Sequence, residues 1–309
     1  MPLIASSLPA VLSPVVSPFT ADGALDVPKL ARQCHWLQQH RVGLAVFGTN
    51  SEANSLSVTE RINALEHLVQ TSGIDAGQMM PGAGACAVPD AVALTKAAVD
   101  LGCAGTLTLP PFYYKDVPDD GLFAYFATII ERVADARLQI YLYNIPPVAK
   151  VGFSLPLVER LIKAYPKTVV GMKDSSGDWA YTESVLTAFS GAGFRMYAGS
   201  ETFLLRTLRA GGAGCISATT NVNPGPIAQL AAHWQDADAD ARQASLDQVR
   251  KVFQSRPMIP SMKAAIAHFA GDPLWAHVRP PLVALNTDQT RELIEAMQAI
   301  GFQITGLRA

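Results

Sequence analysis

A lysine stands where a buried strand would not be expected to carry one. Residues 168–175 read TVVGMKDS, so Lys173 closes an apolar run and is followed by Asp174, Ser175 and Ser176. Strands that are apolar on both faces are enclosed on both faces, and a lysine is rarely fully buried without a partner or a task. Such a lysine can snorkel to water or pair with Asp174. It can also react: an amine among apolar walls loses part of the solvation that favours its charged form. The free amine then attacks a ketone to give a Schiff base, and the protonated imine draws electrons from the neighbouring carbon. A C–C bond at that carbon can then form or break without a metal. A phenol such as Tyr143, in YNIP at 143–146, supplies a proton carrier, and Thr49, in GTNSE at 48–52, a further hydroxyl. Taken singly, Tyr143 reads as a buried tyrosine with a satisfied hydroxyl and GTNSE as a polar turn. Together with Lys173 they point to carbonyl chemistry.

These residues need a frame that brings them together. Eight β-rich runs, at 10–19, 43–49, 79–85, 105–112, 138–146, 169–175, 194–200 and 214–220, alternate with stretches of helical periodicity. SVTE at 57–60 has the pattern of a capping box opening its helix. Eight strands alternating with helices over about 220 residues predict a (β/α)8 TIM barrel, whose active site gathers at the C-terminal ends of the strands. Those ends carry Thr49, Asn50, Ser51 and Glu52; Tyr113 and Tyr114; Tyr143 and Asn144; Lys173 and Ser175; Gly199 and Glu201; Ser217 and Thr219. The expected organisation is a barrel over 1–225, with 226–309 as helices packed on it in the same structural unit.

Composition narrows the function. The 309 residues are 49% hydrophobic and 16% charged, with a net charge of −2, so no basic stripe exists for nucleic acid. Apolar runs break well before the roughly 20 residues of a membrane span. The N-terminal MPLIASSLPAVLSP lacks a basic region, which argues against a secretory signal. Cys34, Cys86, Cys103 and Cys215 have apolar neighbours and form no CxxC, and they read as buried thiols in a reducing cytoplasm. The six histidines do not fall at metal-ligand spacing. GAGA at 82–85 and GGAG at 211–214 lack the rest of a nucleotide fingerprint. No metal and no separate cofactor is expected.

The sequence resembles the dihydrodipicolinate synthase/N-acetylneuraminate lyase family of class I, pyruvate-handling aldolases. The matching pieces run almost end to end: SPVVSPFTADGALD, GTNSEANSLSVTER at 48–61, TLPPFYYK at 108–115, YNIP, GMKDSSGD at 171–178, YAGSE at 197–201, GCISATTNVNP at 214–224 and VRPPL at 278–282. The resemblance implies a homo-oligomeric barrel that takes a 2-oxo acid such as pyruvate, together with an aldehyde. Lys173 would form the covalent imine and Tyr143 would shuttle protons. Gly48, Thr49 and Asn50 would hold the substrate carboxylate through backbone N–H groups and the Thr49 hydroxyl, a role that suits a turn opening into a helix. Tyr113 would reach a neighbouring subunit's site to join Thr49 and Tyr143 in a relay. Ser175, Gly199, Glu201 and Ile216 are the remaining candidate substrate-binding positions.

Departures from the family pattern bear on the substrate. Asn50 and Ser51 replace the third and fourth residues of the usual GTTGE or GSTGE turn. Val148 stands where dihydrodipicolinate synthases carry an arginine for the incoming aldehyde's carboxylate, and valine cannot make that contact. Lys150 is two residues out of register. Near the seventh strand only Glu201 remains of the acidic pair of sialic-acid lyases. Val148, Ile145 and Phe112 predict a less charged acceptor, as in 2-keto-3-deoxy sugar acids, 4-hydroxy-2-oxo acids or aryl-substituted pyruvates. The alternatives are a true 4-hydroxy-tetrahydrodipicolinate synthase and a keto-acid-binding homologue without turnover. A pyridoxal phosphate enzyme ranks behind them, because no glycine-rich phosphate cup follows the last strands.

Overall fold

The computed structural model describes residues 8–307, so the first seven residues of the stretch read for a leader lie outside it. Seven parallel strands, β1 (Val11–Ser13), β2 (Gly43–Leu44), β3 (Thr106–Thr108), β4 (Ile140–Asn144), β5 (Val169–Asp174), β6 (Arg195–Ala198) and β7 (Gly214–Ile216), run in the order β2-β1-β7-β6-β5-β4-β3. The gap between β2 and β3 is filled by residues 79–83. Met80 N donates to Leu44 O at 2.8 Å and Gly82 N to Val46 O at 2.8 Å, while Ala83 N and Leu107 N bond across to Leu107 O and Pro81 O. The circle therefore closes as an α/β barrel with eight staves. The eighth is only bridged, at Met79 and Gly82, because Pro81 between them has no N–H to give.

The strands are shorter than the apolar runs that announced them. The run 10–19 is a strand only over Val11–Ser13, since Pro14 and Pro18 cannot continue a ladder. Leu12, Met80, Leu107, Tyr141, Tyr143, Val170, Tyr197 and Ile216 fill the barrel interior in one cluster. Helices α1 (Val27–Gln39), α2 (Val58–Glu66), α3 (Val88–Asp100), α4 (Asp119–Val133), the single turn α5 (Pro146–Ala149), α6 (Leu155–Ala164), α7 (Trp179–Phe189), α8 (Leu204–Arg209) and α9 (Pro224–Ala232) connect and surround it. The capping box forms as read: Ser57 Oγ accepts from Glu60 N at 3.1 Å and Ser57 N donates to Glu60 Oε2 at 2.9 Å. Helices α10 (Ala239–Gln254), α11 (Met258–Ala270) and α12 (Thr287–Ala299) follow. Their Leu246, Phe253, Met262, Ile266, Leu293 and Met297 belong to the same apolar cluster as Val11, Leu30 and Cys215 of the barrel.

One irregularity decides which way Lys173 faces. Along the β4–β5 ladder Ile140 pairs with Val169 but Tyr141 pairs with Gly171, so Val170 is an extra residue on β5. Such a bulge shifts the alternation of faces by one. Val169 and Met172 consequently pack with the helices, whereas Val170 joins the interior. Gly171 is required beside the bulge: a Cβ there would lie 2.6 Å from Cδ1 of Tyr141 and 2.4 Å from Arg195 O.

Of the four cysteines, Cys34 and Cys215 are buried as expected. Cys103 is half-buried and Cys86 is exposed, because the chain turns outward after the 79–83 stave. Among the described residues, no group of three or more His, Cys, Asp or Glu side chains is arranged to hold a metal. Among the same residues, no helix is long and apolar enough to cross a membrane.

Candidate active site

Past the bulge, β5 presents Lys173 beside Tyr143 of β4, its register partner. Lys173 is only 2% exposed, and its Nζ lies 4.3 Å from the centre of the Tyr143 ring. The Tyr143 hydroxyl is 3.1 Å from Thr49 Oγ1. Asp174, the neighbour that could have neutralised the lysine, faces outward. Its carboxylate accepts from Asn144 Nδ2 at 2.8 Å, Ser176 N at 2.9 Å and Thr182 Oγ1 at 2.6 Å. Lys173 makes no ion pair among the described residues. On its other side, in register on β6, stands Tyr197, whose hydroxyl burial pushes well above the ordinary phenol range and so keeps it neutral.

Lys173, Tyr143, Thr49, Asn50, Ser175 and Gly199 line one cavity of about 550 Å³. Gly199 allows the end of β6 to come this close. Its N–H donates to Asp174 O at 2.6 Å, and a Cβ there would sit 2.0 Å from Ser175 Oγ. Thr49 and Asn50 open a short 3-10 turn (Thr49–Ser51) whose first internal hydrogen bond runs from Ser51 N to Gly48 O at 3.1 Å. The amide N–H groups of Thr49 and Asn50 precede that bond, so the turn itself leaves them unpaired. Gly48 differs: its N–H donates to Ser51 Oγ at 3.3 Å, and Gly48 is not on the cavity wall.

Three other candidates are not brought to the cavity. Glu201 is 1% exposed and works as a scaffold. Its carboxylate accepts from Ser217 Oγ and Thr219 Oγ1 and pairs with Arg250 at 3.2 Å, which also accounts for those two strand-end hydroxyls. Ile216 is wholly buried among the interior residues. Tyr113 is 74% exposed and stacks edge-on against Tyr114 at 5.3 Å, outside the cavity of its own chain.

The wall away from Lys173 is apolar on one side, with Ile145, Val148, Phe203, Met258, Ile259 and Leu282. Phe112, expected there, is not on it. Val148 is 63% exposed at the opening. Arg250 and Gln254 of α10 supply polar wall, and the sequence did not announce them. Arg250 is fixed by Glu201, 49 residues earlier, so no local spacing could reveal it. The same holds for Lys263 of α11, which bonds Glu52 across 211 residues. The one available signal was a lysine, Lys263, within the apolar pattern of a helix.

Comparison with known proteins places this arrangement. The profile of the dihydrodipicolinate synthetase family matches residues 7–300. A protein of Chloroflexus aurantiacus named as an uncharacterized DapA-like lyase is 33% identical over 294 residues, covering 94% of this chain and 96% of its own. The crystal structure of dihydrodipicolinate synthase from Agrobacterium tumefaciens superposes with a TM-score of 0.86 at 30% identity, covering 94% of this chain and 99% of that one. YagE, a prophage protein of the same family from E. coli K12 solved in complex with pyruvate, gives a TM-score of 0.87 at 27% identity, covering 96% of this chain and 100% of its own.

Proposed function

The chain belongs to the dihydrodipicolinate synthetase family, and from that membership we propose that it is a class I lyase acting on pyruvate or a related 2-oxo acid through a Lys173 imine. The observation that carries this reading is Lys173 Nζ, buried and without an ion-pair partner among the described residues, lying on the Tyr143 ring while the Tyr143 hydroxyl reaches Thr49. The binding of pyruvate by YagE supports the choice of substrate class.

In this reading the substrate carboxylate rests on the Thr49 and Asn50 N–H groups and the Thr49 hydroxyl. Lys173 Nζ attacks the C2 carbonyl, and the Tyr143–Thr49 pair delivers the proton with which the carbinolamine oxygen leaves as water. Loss of a proton from C3 of the iminium gives an enamine. Its C3 attacks an aldehyde carbon, and the aldehyde oxygen takes a proton. Hydrolysis of the product imine frees Lys173. The reverse sequence cleaves a 4-hydroxy-2-oxo acid, and loss of hydroxide from C4 of the enamine would instead dehydrate it. A second copy of the chain supplies Tyr113, which its own cavity does not use.

The acceptor end is read as apolar on the side of Val148 and Ile145, where a carboxylate-binding arginine would be needed, and the arginine that does reach the cavity wall, Arg250, is engaged by Glu201. A second reading, 4-hydroxy-tetrahydrodipicolinate synthase, is favoured by the likeness to the Agrobacterium enzyme and opposed by Val148. The test is incubation with pyruvate, reduction with borohydride and peptide mapping. A reduced pyruvyl adduct on Lys173 is expected, and its absence from that residue removes the mechanism. A panel of aldehydes then reads the acceptor: a strong preference for one bearing a carboxylate favours the second reading.

A further inference from the structure

The turn that carries Thr49 and Asn50 ends in an unusual way. Glu52 has φ 56 and ψ 33, the left-handed conformation that residues with a Cβ seldom adopt. Its N–H closes the turn on Thr49 O at 3.1 Å. The reversal sends its side chain inward, where both carboxylate oxygens are taken. Oε1 accepts from Lys263 Nζ at 2.7 Å and Oε2 from the Arg279 backbone N–H at 2.8 Å. The side chains of Lys263 and Glu52 are both 0% exposed.

An ion pair with no access to water holds its geometry tightly, because misplacing either group leaves a buried charge unpaired. Here one partner is three residues from Thr49 and the other sits on α11, whose Met262 and Ile266 are buried in the large apolar cluster. We propose that Lys263, acting through Glu52, is a positioning residue that fixes the Thr49–Asn50 turn for the substrate carboxylate; this rests on the carboxylate-holding role given to that turn above.

The groups facing Lys263 are few. Glu52 meets it from the turn and Arg279 from the segment after α11, while the Phe19 ring lies 4.4 Å from its Nζ. Arg279 is itself held by Glu60 at 2.6 Å. Burial lowers the Lys263 ammonium to about 8, against the pull of Glu52. The amine is charged below that pH and neutral above it, so the ionic part of the clamp weakens as pH rises through about 8.

The experiment compares wild type, Glu52→Gln, and the doubly neutral pair Lys263→Met with Glu52→Gln, which leaves no charge stranded. The first readout is the pyruvate concentration giving half-maximal borohydride-trapped adduct. The pair is expected to raise it about tenfold while maximal trapping stays within about twofold, on the scale by which small misplacements of binding groups act. Glu52→Gln, which strands the Lys263 charge and offers one acceptor oxygen to two donors, gives a rise at least as large. Between pH 7 and 9 the wild-type value climbs, and the pair shows no such climb. The second readout needs no substrate: amide exchange at residues 48–53, relative to α7, is expected to quicken about tenfold in the pair, as when a local closing contact is lost. A variant that traps less adduct at an unchanged half-saturation, with wild-type exchange at 48–53, overturns the proposal and leaves the pair a purely stabilising role. A wild type that forms no adduct refutes the imine instead, and the exchange measurement then decides the positioning claim by itself.

Discussion

Tyr143 carries two separable jobs in one side chain. Its ring covers Lys173 at 4.3 Å and its hydroxyl meets Thr49 at 3.1 Å. Tyr143→Phe keeps the ring and removes the hydroxyl. Steady-state turnover should therefore fall about 10²- to 10⁴-fold, the usual worth of a positioned proton carrier, while the reduced adduct on Lys173 is still found. Equal loss of adduct and turnover would instead mean that the hydroxyl only shapes the pocket. Lys173 and Tyr143 were legible in the sequence for a physical reason: a polar group ending an apolar run contradicts its surroundings, and the contradiction is visible locally. Glu201 offered the same local signal and misled, because hydroxyls from the next strand, Ser217 and Thr219, satisfy it below the cavity wall.

At the scale of elements, the barrel supplies the reactive groups and the later helices hold them. Arg250 of α10 ties down Glu201 after β6, Lys263 of α11 ties down Glu52 after β2, and Arg279 bonds Glu60 at the start of α2. Removing one member of an enclosed pair strands the other. Glu201→Ala should therefore cost about 3–5 kcal/mol in urea unfolding, and replacing Arg250 by leucine in the same chain should recover part of that loss. An unchanged stability with a raised KM would restore Glu201 to the substrate. The alternation of strand-like and helix-like runs showed the barrel because each element is a local pattern. The clamps were not legible, since they join residues 49 and 211 positions apart and only the fold makes them neighbours. Strand lengths were overread where Pro14, Pro18 and Pro81 interrupt apolar runs, because hydropathy takes no account of a missing N–H.

On the scale of the whole molecule, the exposed pair Tyr113 and Tyr114 is a surface without a use inside one chain. If a second copy receives Tyr113, two inactive variants can repair each other. Lys173→Ala lacks the amine and Tyr113→Phe lacks the relay hydroxyl, yet a mixed assembly contains sites with both. Co-refolding them should restore turnover well above the sum of the parents, and strictly additive activity would show that each chain works alone. The frame itself poses a different question of inheritance. Because Val170 is a surplus residue, the pairs on either side of it, Ile140 with Val169 and Tyr141 with Gly171, are already consecutive along β4. Losing that one valine would therefore close the ladder into a regular strand and leave Lys173 opposite Tyr143, at the cost of one interior side chain. For this ancestry the bulge is slack in the frame, a place where a single codon can be lost while the amine keeps its direction.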